Sequence, residues 1–501
     1  MACYLSGGIQ MGFSRSQRAT KCAAAATTVA LAMALVYPAT MAAGAVGADL
    51  GDILTAATGA VASSTSPGCA WPVESTATTA NVAAPDPFAV YWLTPISTSS
   101  SESITIRGSF PTSRFMSFAV YNDSFQLFTN TVNGKKVSSF LSSYQIAPNQ
   151  GTGNPWRSGH VRKGQQFTVR LKPTVTAAQQ RSENAIPTID QQAPAGTSGP
   201  SRVGYVIFRA YVPAGGSAAV QLPSITVKQA GRSTTLQRCS TRSGTTSEAV
   251  SDQHTTSAST LAVLQSLRDD GVAMSCSTRC TDPELQYFGP SADSEAGLFP
   301  DPADGYVEMR FTPKPGYVVV THGMAPTSPV TAGHGSPGDT IGAHPVAWVK
   351  PKFQVLSWSI ANYVGMKPYP VAEAAQGSHV QVGGTPDYLT TLQNGYYTVV
   401  SSPATDKPSA KSLKANAATW IPTSAVYSTT PEFQLLRNVL PQQSLYSEAF
   451  AFIKRPANPS DIISSAKVKK QMGAYYPQAA QCPIATFESG GWTACLAASR
   501  A

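Results

Sequence analysis

The chain has 501 residues, of which only 13% are charged, and a formal net charge of +9. Such a length exceeds what one hydrophobic core usually organises, so two or three domains are expected. No Lys/Arg cluster is interleaved with aromatics, which argues against a nucleic-acid partner.

The N-terminus reads as an export signal. Arg15, Arg18 and Lys21 precede an apolar run from Ala23 to Tyr37, and Pro38 with the small residues after it forms a cleavage region. The run is shorter than the roughly twenty residues of a spanning helix, so stable membrane insertion is not expected. The segment from Met11 makes a complete n-region by itself, which favours Met11 over Met1 as the start. Residues 1–43 are read as a signal peptide and 44–68, small and polar, as a linker. Removing the three signal cations lowers the net charge from +9 to +6. That supports a mild attraction to anionic envelope polymers.

From residue 69 the texture changes. "FAVYWLTPI", "SITIRGSF", "RFMSFAVYN" and "QFTVRLKP" are short aromatic and β-branched runs between Pro, Gly, Ser and Asn. Ser103, Thr105 and Arg107 alternate with Ile104 and Ile106, the period of a half-buried strand. Residues 69–229 are therefore a first β-sandwich domain, interrupted by the helical "TAAQQRSENA". Residues 230–300 form a Ser/Thr-rich bridge with three cysteines and one helix, "SASTLAVLQSLRDDG", ending at Gly271. Residues 301–501 form a second β-rich domain with late helices in "QQSLYSEAFAFIK" and, after Ser460, in "DIISSAKVKKQMG". No fixed-period repeat is visible, which argues against a solenoid or propeller. The expected fold is mainly β: two antiparallel β-sandwich-like domains joined by a disulfide-bearing bridge, with few helices.

Six cysteines remain after the signal: Cys69, Cys239, Cys276, Cys280, Cys482 and Cys495. In an oxidising compartment they imply three bridges among fifteen connectivities. Cys482 and Cys495 flank a short loop and are the simplest pair. The Cys276/Cys280 spacing has no second ligand pair, so neither zinc nor another cofactor is expected.

"IRGSFPTSRFMSFAVYND", "GYVIFRAYVP", "GYVVVTHGMAPTSP", "FQVLSWSIANY", "GYYTVVSS", "FQLLRNVLP" and "MGAYYP" stand in one order along the chain. Over roughly residues 69–480 this resembles a family of secreted, uncharacterised proteins known mainly from actinobacteria. The first block also resembles paired β-sandwich domains of unknown function. The resemblance implies a fold and a secreted life, with no catalytic residues to carry over. In that family an arginine usually stands where this chain has His322.

His322, His334 and His344 lie in one Pro/Gly-rich stretch, but their spacing fits neither a helical nor a strand-borne metal pair. A strand from Val318 followed by an exposed loop, with no catalytic histidine, is expected. "HGSPG" around Ser336 lacks the Gly two residues earlier, and the following helix, of a nucleophile elbow. Carboxylates that could pair for glycoside hydrolysis are Asp86, Asp123, Asp301, Asp304 and Glu308. Arg114, Arg209 and Arg437 sit in apolar strands, and each buried guanidinium needs a carboxylate or an anionic ligand. Arg114 with Asp123 across a hairpin is one such pairing. Tyr91, Trp92, Tyr121, Trp156, Trp358, Tyr396 and Tyr397 suit sugar stacking or core packing. The candidate ligand-binding set is Arg114, Asp123, Arg437 and Trp358. The expected function is secreted, extracellular binding of a glycan or other cell-envelope component. The alternative is an extracellular hydrolase with a carboxylate or histidine site in an inter-domain cleft.

Overall fold

A computed structural model describes residues 69–77, 81, 83–97, 102–122, 126–158, 165–191, 203–239, 284–289, 299–329, 353–366, 369–376, 379–424, 430–440 and 464–501. The signal, the linker, the bridge helix, "QQSLYSEAFAFIK", Asp123, Cys276, Cys280, His334, Ser336 and His344 lie outside them. Strands dominate, as the alternating runs imply, and they form four large sheets. Residues 42–501 fall in one compact unit.

The first sheet orders Val73–Ser75, Ala89–Ser97, Val203–Tyr211, Phe115–Tyr121 and Phe140–Ser142. The second orders Ala185–Pro187, Gln166–Lys172, Ser103–Ser109, Ser224–Gln229 and Arg232–Thr235. Between them lies an aromatic core of Trp71, Trp92, Phe118, Phe167 and Phe208. Side chains alternate across each strand, so Val206, Phe208 and Ala210 point into this core while Ile207 and Tyr211 point out of it.

The second half repeats the arrangement. Its third sheet orders Asp304–Phe311, Glu432–Val439, Ser357–Val364 and Gly384–Pro386, matching four successive strands of the first sheet. The fourth runs from Ala418–Pro422 through Tyr396–Ser402, Tyr317–Met324 and Gln478–Pro483 to Glu284–Leu285. The first four of these match the second sheet, down to one parallel pairing at the same edge, whereas Glu284–Leu285 precedes its neighbours in sequence and Arg232–Thr235 follows them. A short helix precedes that edge strand in both halves, Ala177–Glu183 in one and Ala410–Ala415 in the other. Thr176 and Gln179 form a capping box at the first of these, as "TAAQQ" suggests.

Two late helices differ from expectation. The helix sought after Ser460 runs Ser465–Met472, and its cap is Ser464, whose hydroxyl accepts from the Lys467 N–H. The chain also ends in an unforeseen helix, Ile484–Arg500, which kinks at Gly491. Gly490 and Gly491 hid it, because paired glycines read as a loop. The Cys482–Cys495 bridge ties this helix to the neighbouring strand, and Cys69–Cys239 joins the two ends of the first half.

Candidate functional site

The outer faces of the first and third sheets meet. Phe115, Ala119, Tyr121, Ile207 and Tyr211 pack there against Leu356, Val439 and Leu440. Embedded in this apolar contact are Arg114, Arg209, Arg437, Asp86, Asp301, Asp304 and Asp387.

Three short patterns recur at matching places in the two halves. Pro-Asp-Pro-x3-Tyr spans 85–91 and 300–306, Ser-x3-Tyr spans 117–121 and 359–363, and Arg-x2-Val-Pro or Arg-x2-Leu-Pro starts at 209 and 437. Strand register aligns them. Arg209 lies opposite Tyr91 and Ser117, and Arg437 opposite Tyr306 and Ser359.

The aspartates are exchanged between halves. Asp86, from the first, accepts from Ser359 Oγ at 2.9 Å and lies 3.3 Å from Arg437 Nη1. Asp301, from the second, accepts from Ser117 Oγ at 3.4 Å and lies 3.7 Å from Arg209 Nε. Arg437 also donates to Ala84 O at 3.0 Å, and Arg209 to Phe299 O at 2.8 Å. Tyr363 donates to Pro85 O and Tyr121 to Pro300 O, at 3.0 and 2.8 Å. Each aspartate fixes its own turn by accepting from the N–H two residues on, Phe88 in one loop and Ala303 in the other. Ala84 and Phe299 both adopt positive φ, 49° and 51°, a strain that persists only where surrounding contacts over-determine it.

Two contacts break the symmetry. Arg114 Nη1 donates to Asp387 Oδ2 and to Leu356 O, both at 2.9 Å. The residues matching Arg114 and Asp387 in the other half are Leu356 and Ser143, identified by equivalent backbone bonds to Tyr211 or Val439 and to Met116 or Trp358. The second is Tyr211, which donates to Asp304 Oδ2 at 2.6 Å where the matching pair is Val439 and Ala89.

Burial, reinforced by the Asp301 charge, pushes the Asp304 carboxyl well above the usual carboxylate range. This shift favours the protonated form of Asp304, whose Oδ2 lies 3.8 Å from Arg437 Nε. Each of the three guanidiniums faces one of Asp387, Asp301 and Asp86, and Asp304 stands beside Arg437 as a fourth acid. Burial opposes the charge on Arg437, but Tyr363, Asp86 and neighbouring groups more than offset it and keep the side chain protonated. A network of this kind offers little to an anionic ligand, because each arginine already faces a carboxylate of the chain itself.

Of the candidate ligand-binding set, Arg114 and Arg437 share this junction, whereas Trp358 points into the second sandwich. Arg114 pairs with Asp387 rather than with a hairpin neighbour. Asp86, Asp301 and Asp304 gather in the junction, and Glu308 instead accepts from Arg310 at 2.6 Å. Arg209, Asp301 and Asp387 complete a cluster that the sequence reading did not assemble. The repeated Pro-Asp-Pro was the available signal.

His322 lies on the outer face of the fourth sheet. Its ring stacks on Trp492 of the C-terminal helix, with centroids 3.9 Å apart, and on Tyr396 of the adjacent strand at 5.4 Å. Its Nδ1 is 3.0 Å from Thr398 Oγ1, and burial lowers its pKa, so the imidazole is neutral at pH 7. Tyr91, Trp92, Tyr121, Trp156, Trp358 and Tyr397 are buried or half-buried, while Tyr396 is 38% exposed. Among the described residues no group of three His, Cys, Asp or Glu side chains is arranged to hold a metal ion.

No protein-family profile matches the chain, and no curated protein matches its sequence. Among solved structures, an uncharacterised protein from Burkholderia cenocepacia aligns over 87% of this chain and 88% of its own, at 13% identity and a TM-score of 0.45. A protein from Vibrio parahaemolyticus aligns over 79% and 89%, at 10% identity and a TM-score of 0.33. At these scores the likeness assigns no function.

Proposed function

We propose that the protein is exported and binds a glycan of the cell envelope through the Tyr396–His322–Trp492 stack, without catalysing its breakdown. The observation that carries this reading is the set of three near-parallel rings, contributed by two strands and a helix, ending in the exposed Tyr396. The C–H face of a sugar ring packs on an aromatic face, and a hydroxyl or indole N–H at the ring's edge reaches the sugar's polar rim. A neutral imidazole in the middle imposes no charge selection. Two disulfides fit an oxidising environment, and no helix among the described residues is long and apolar enough to cross a membrane. The resemblance to a secreted actinobacterial family belongs to the same proposal.

Co-sedimentation of the mature protein with peptidoglycan, cellulose and chitin tests it. The expected result is retention on at least one polymer, weakened about tenfold by Tyr396→Ala, the loss of roughly one stacking contact. No retention on any polymer, or retention indifferent to Tyr396→Ala and Trp492→Ala, overturns it.

A second reading, hydrolysis at the junction with Asp304 as general acid, draws on the carboxyl that burial and the neighbouring Asp301 push up. Release of reducing ends during the same incubation, abolished by Asp304→Asn, is the outcome it requires.

A further inference from the structure

The duplicated frame makes each half a control for the other. In the first sandwich the inward positions of the two central strands are apolar: Val206, Phe208 and Ala210 on one, Met116, Phe118 and Val120 on the other. The matching positions in the second sandwich are Gln434, Leu436 and Asn438, and Trp358, Ile360 and Asn362. All of these are 1% exposed or less. The fold therefore does not require polar groups at these places, since the same strand order is built without them.

Two of the polar residues are internally satisfied. Gln434 Oε1 accepts from Tyr287 OH and from Thr321 Oγ1, and its Nε2 donates to Asn362 Oδ1 at 2.8 Å and to Ser401 Oγ at 3.2 Å. Asn362 donates in turn to Pro422 O. The other end of the row is different. Asn438 Oδ1, Asn438 Nδ2 and Trp358 Nε1 are buried with no hydrogen-bond partner among the described residues. A buried polar group without a partner forfeits its hydration for nothing, so three together are a large burden on a domain's net stability. Asn438 and Trp358 lie side by side in register, and the third residue of that rung is Gly305, where the first half has Val90. A missing side chain thus adjoins the unpaired amide. The Trp358 ring is flanked by Tyr397, with centroids 5.5 Å apart.

We propose that this end of the second sandwich is a binding site for a small uncharged molecule that both donates and accepts hydrogen bonds, such as a hydroxyl- or acetamido-bearing sugar unit. The polar atoms present are one amide oxygen, one amide NH2 and one indole N–H, which together supply both an acceptor and donors. No ionisable side chain belongs to the Gly305–Asn438–Trp358 rung, so a charged guest would lose its hydration without gaining a counter-charge. The row's acid, Glu432, stands at the opposite end, six residues or roughly 20 Å along the strand. This site is separate from the aromatic stack and does not depend on it.

The test is the thermal unfolding midpoint of the mature protein after equilibration with N-acetylglucosamine or acetamide, with glucuronate and glucosamine as charged controls. The neutral probes should raise the midpoint in a concentration-dependent way, and the charged ones should not. Asn438→Ala installs the residue that the first half carries at this place, and should weaken the apparent affinity roughly tenfold. If that variant does not fold, Trp358→Phe removes the indole N–H and keeps an aromatic ring. Tyr396→Ala should leave the shift intact, which separates this site from the surface stack. No shift with either neutral probe, an undiminished shift in the folded rung variant, or a crystal soaked with N-acetylglucosamine that shows only ordered water on Asn438 and Trp358 overturns the proposal.

Discussion

Glu432 is fully buried, and the Ser424 N–H donates to its Oε1 at 2.7 Å. Burial pushes its carboxyl up from the ordinary 4.5 to about 8, against the smaller opposing effect of that hydrogen bond. The folded state therefore holds a proton that the unfolded chain has released. Stability falls as pH rises from about 4.5 to about 8 and levels off above, because the native state binds more protons across that window. Glu432→Gln keeps the acceptor and removes the titration. It should raise the unfolding midpoint at pH 7.5 by roughly 5 °C and leave it nearly unchanged at pH 4.5, as calorimetry at the two pH values would show. The junction responds in the opposite sense to truncation. Arg437→Ala strands Asp86 without its counter-charge and should cost about 3–5 kcal/mol in denaturant unfolding, whereas replacing Arg437 and Asp86 together by Met and Leu should cost much less. Equal losses in the single and double variants would show that the pair does not act as a unit. Sequence foretold that these arginines needed partners, because a guanidinium among apolar neighbours has few options. It could not name them, since Asp86 and Arg437 are 351 positions apart and meet only through the packing of two sheets.

Elements with strict alternation were legible, and elements defined by long-range contact were not. "SITIRGSF" and "QFTVRLKP" declare one buried face and become paired strands of the second sheet. The repeat between halves escaped a search for a fixed period for a physical reason. The offsets between matching residues are 215 for the aspartates, 242 for the serines and 228 for the arginines, because loops of unequal length separate conserved spatial neighbours. The C-terminal helix was hidden by its glycine pair and by an apolar pattern that makes sense only against the fourth sheet, where Phe487 and Cys495 pack on Val318, Val320 and Trp420. Its anchorage is testable. Closing so short a loop contributes about 3 kcal/mol in the chain-entropy model, so Cys482→Ser with Cys495→Ser should lower stability by that order. Amide exchange should also speed up along Ile484–Arg500 before it does in the sheets. Exchange that rises uniformly through the chain would show the helix to be no separate unit.

At the scale of the whole molecule, each half completes the other. The swapped aspartates and the apolar contact around them place much of the holding energy between segments distant in sequence, so the covalent connection through residues 240–283 is not what keeps the halves together. A protease site introduced near residue 250 should, after cleavage, leave both fragments co-eluting in size-exclusion chromatography at physiological salt. Fragments that separate on cleavage would show that the junction is too weak to stand alone. Such mutual completion is the pattern of an isologous interface, in which residue i meets j and j meets i, and it carries a hazard. Two matching halves from different molecules could pair as readily as the two within one chain, tangling newly made protein into mixed oligomers. The departures from symmetry oppose this. First half against first half would bury Arg114 opposite Ser143, and second against second would bury Asp387 opposite Leu356, each leaving a charge with no counterpart. Only the mixed pairing neutralises both. A single ion pair, idle as far as strand order is concerned, thereby lets each half distinguish its complement from a copy of itself.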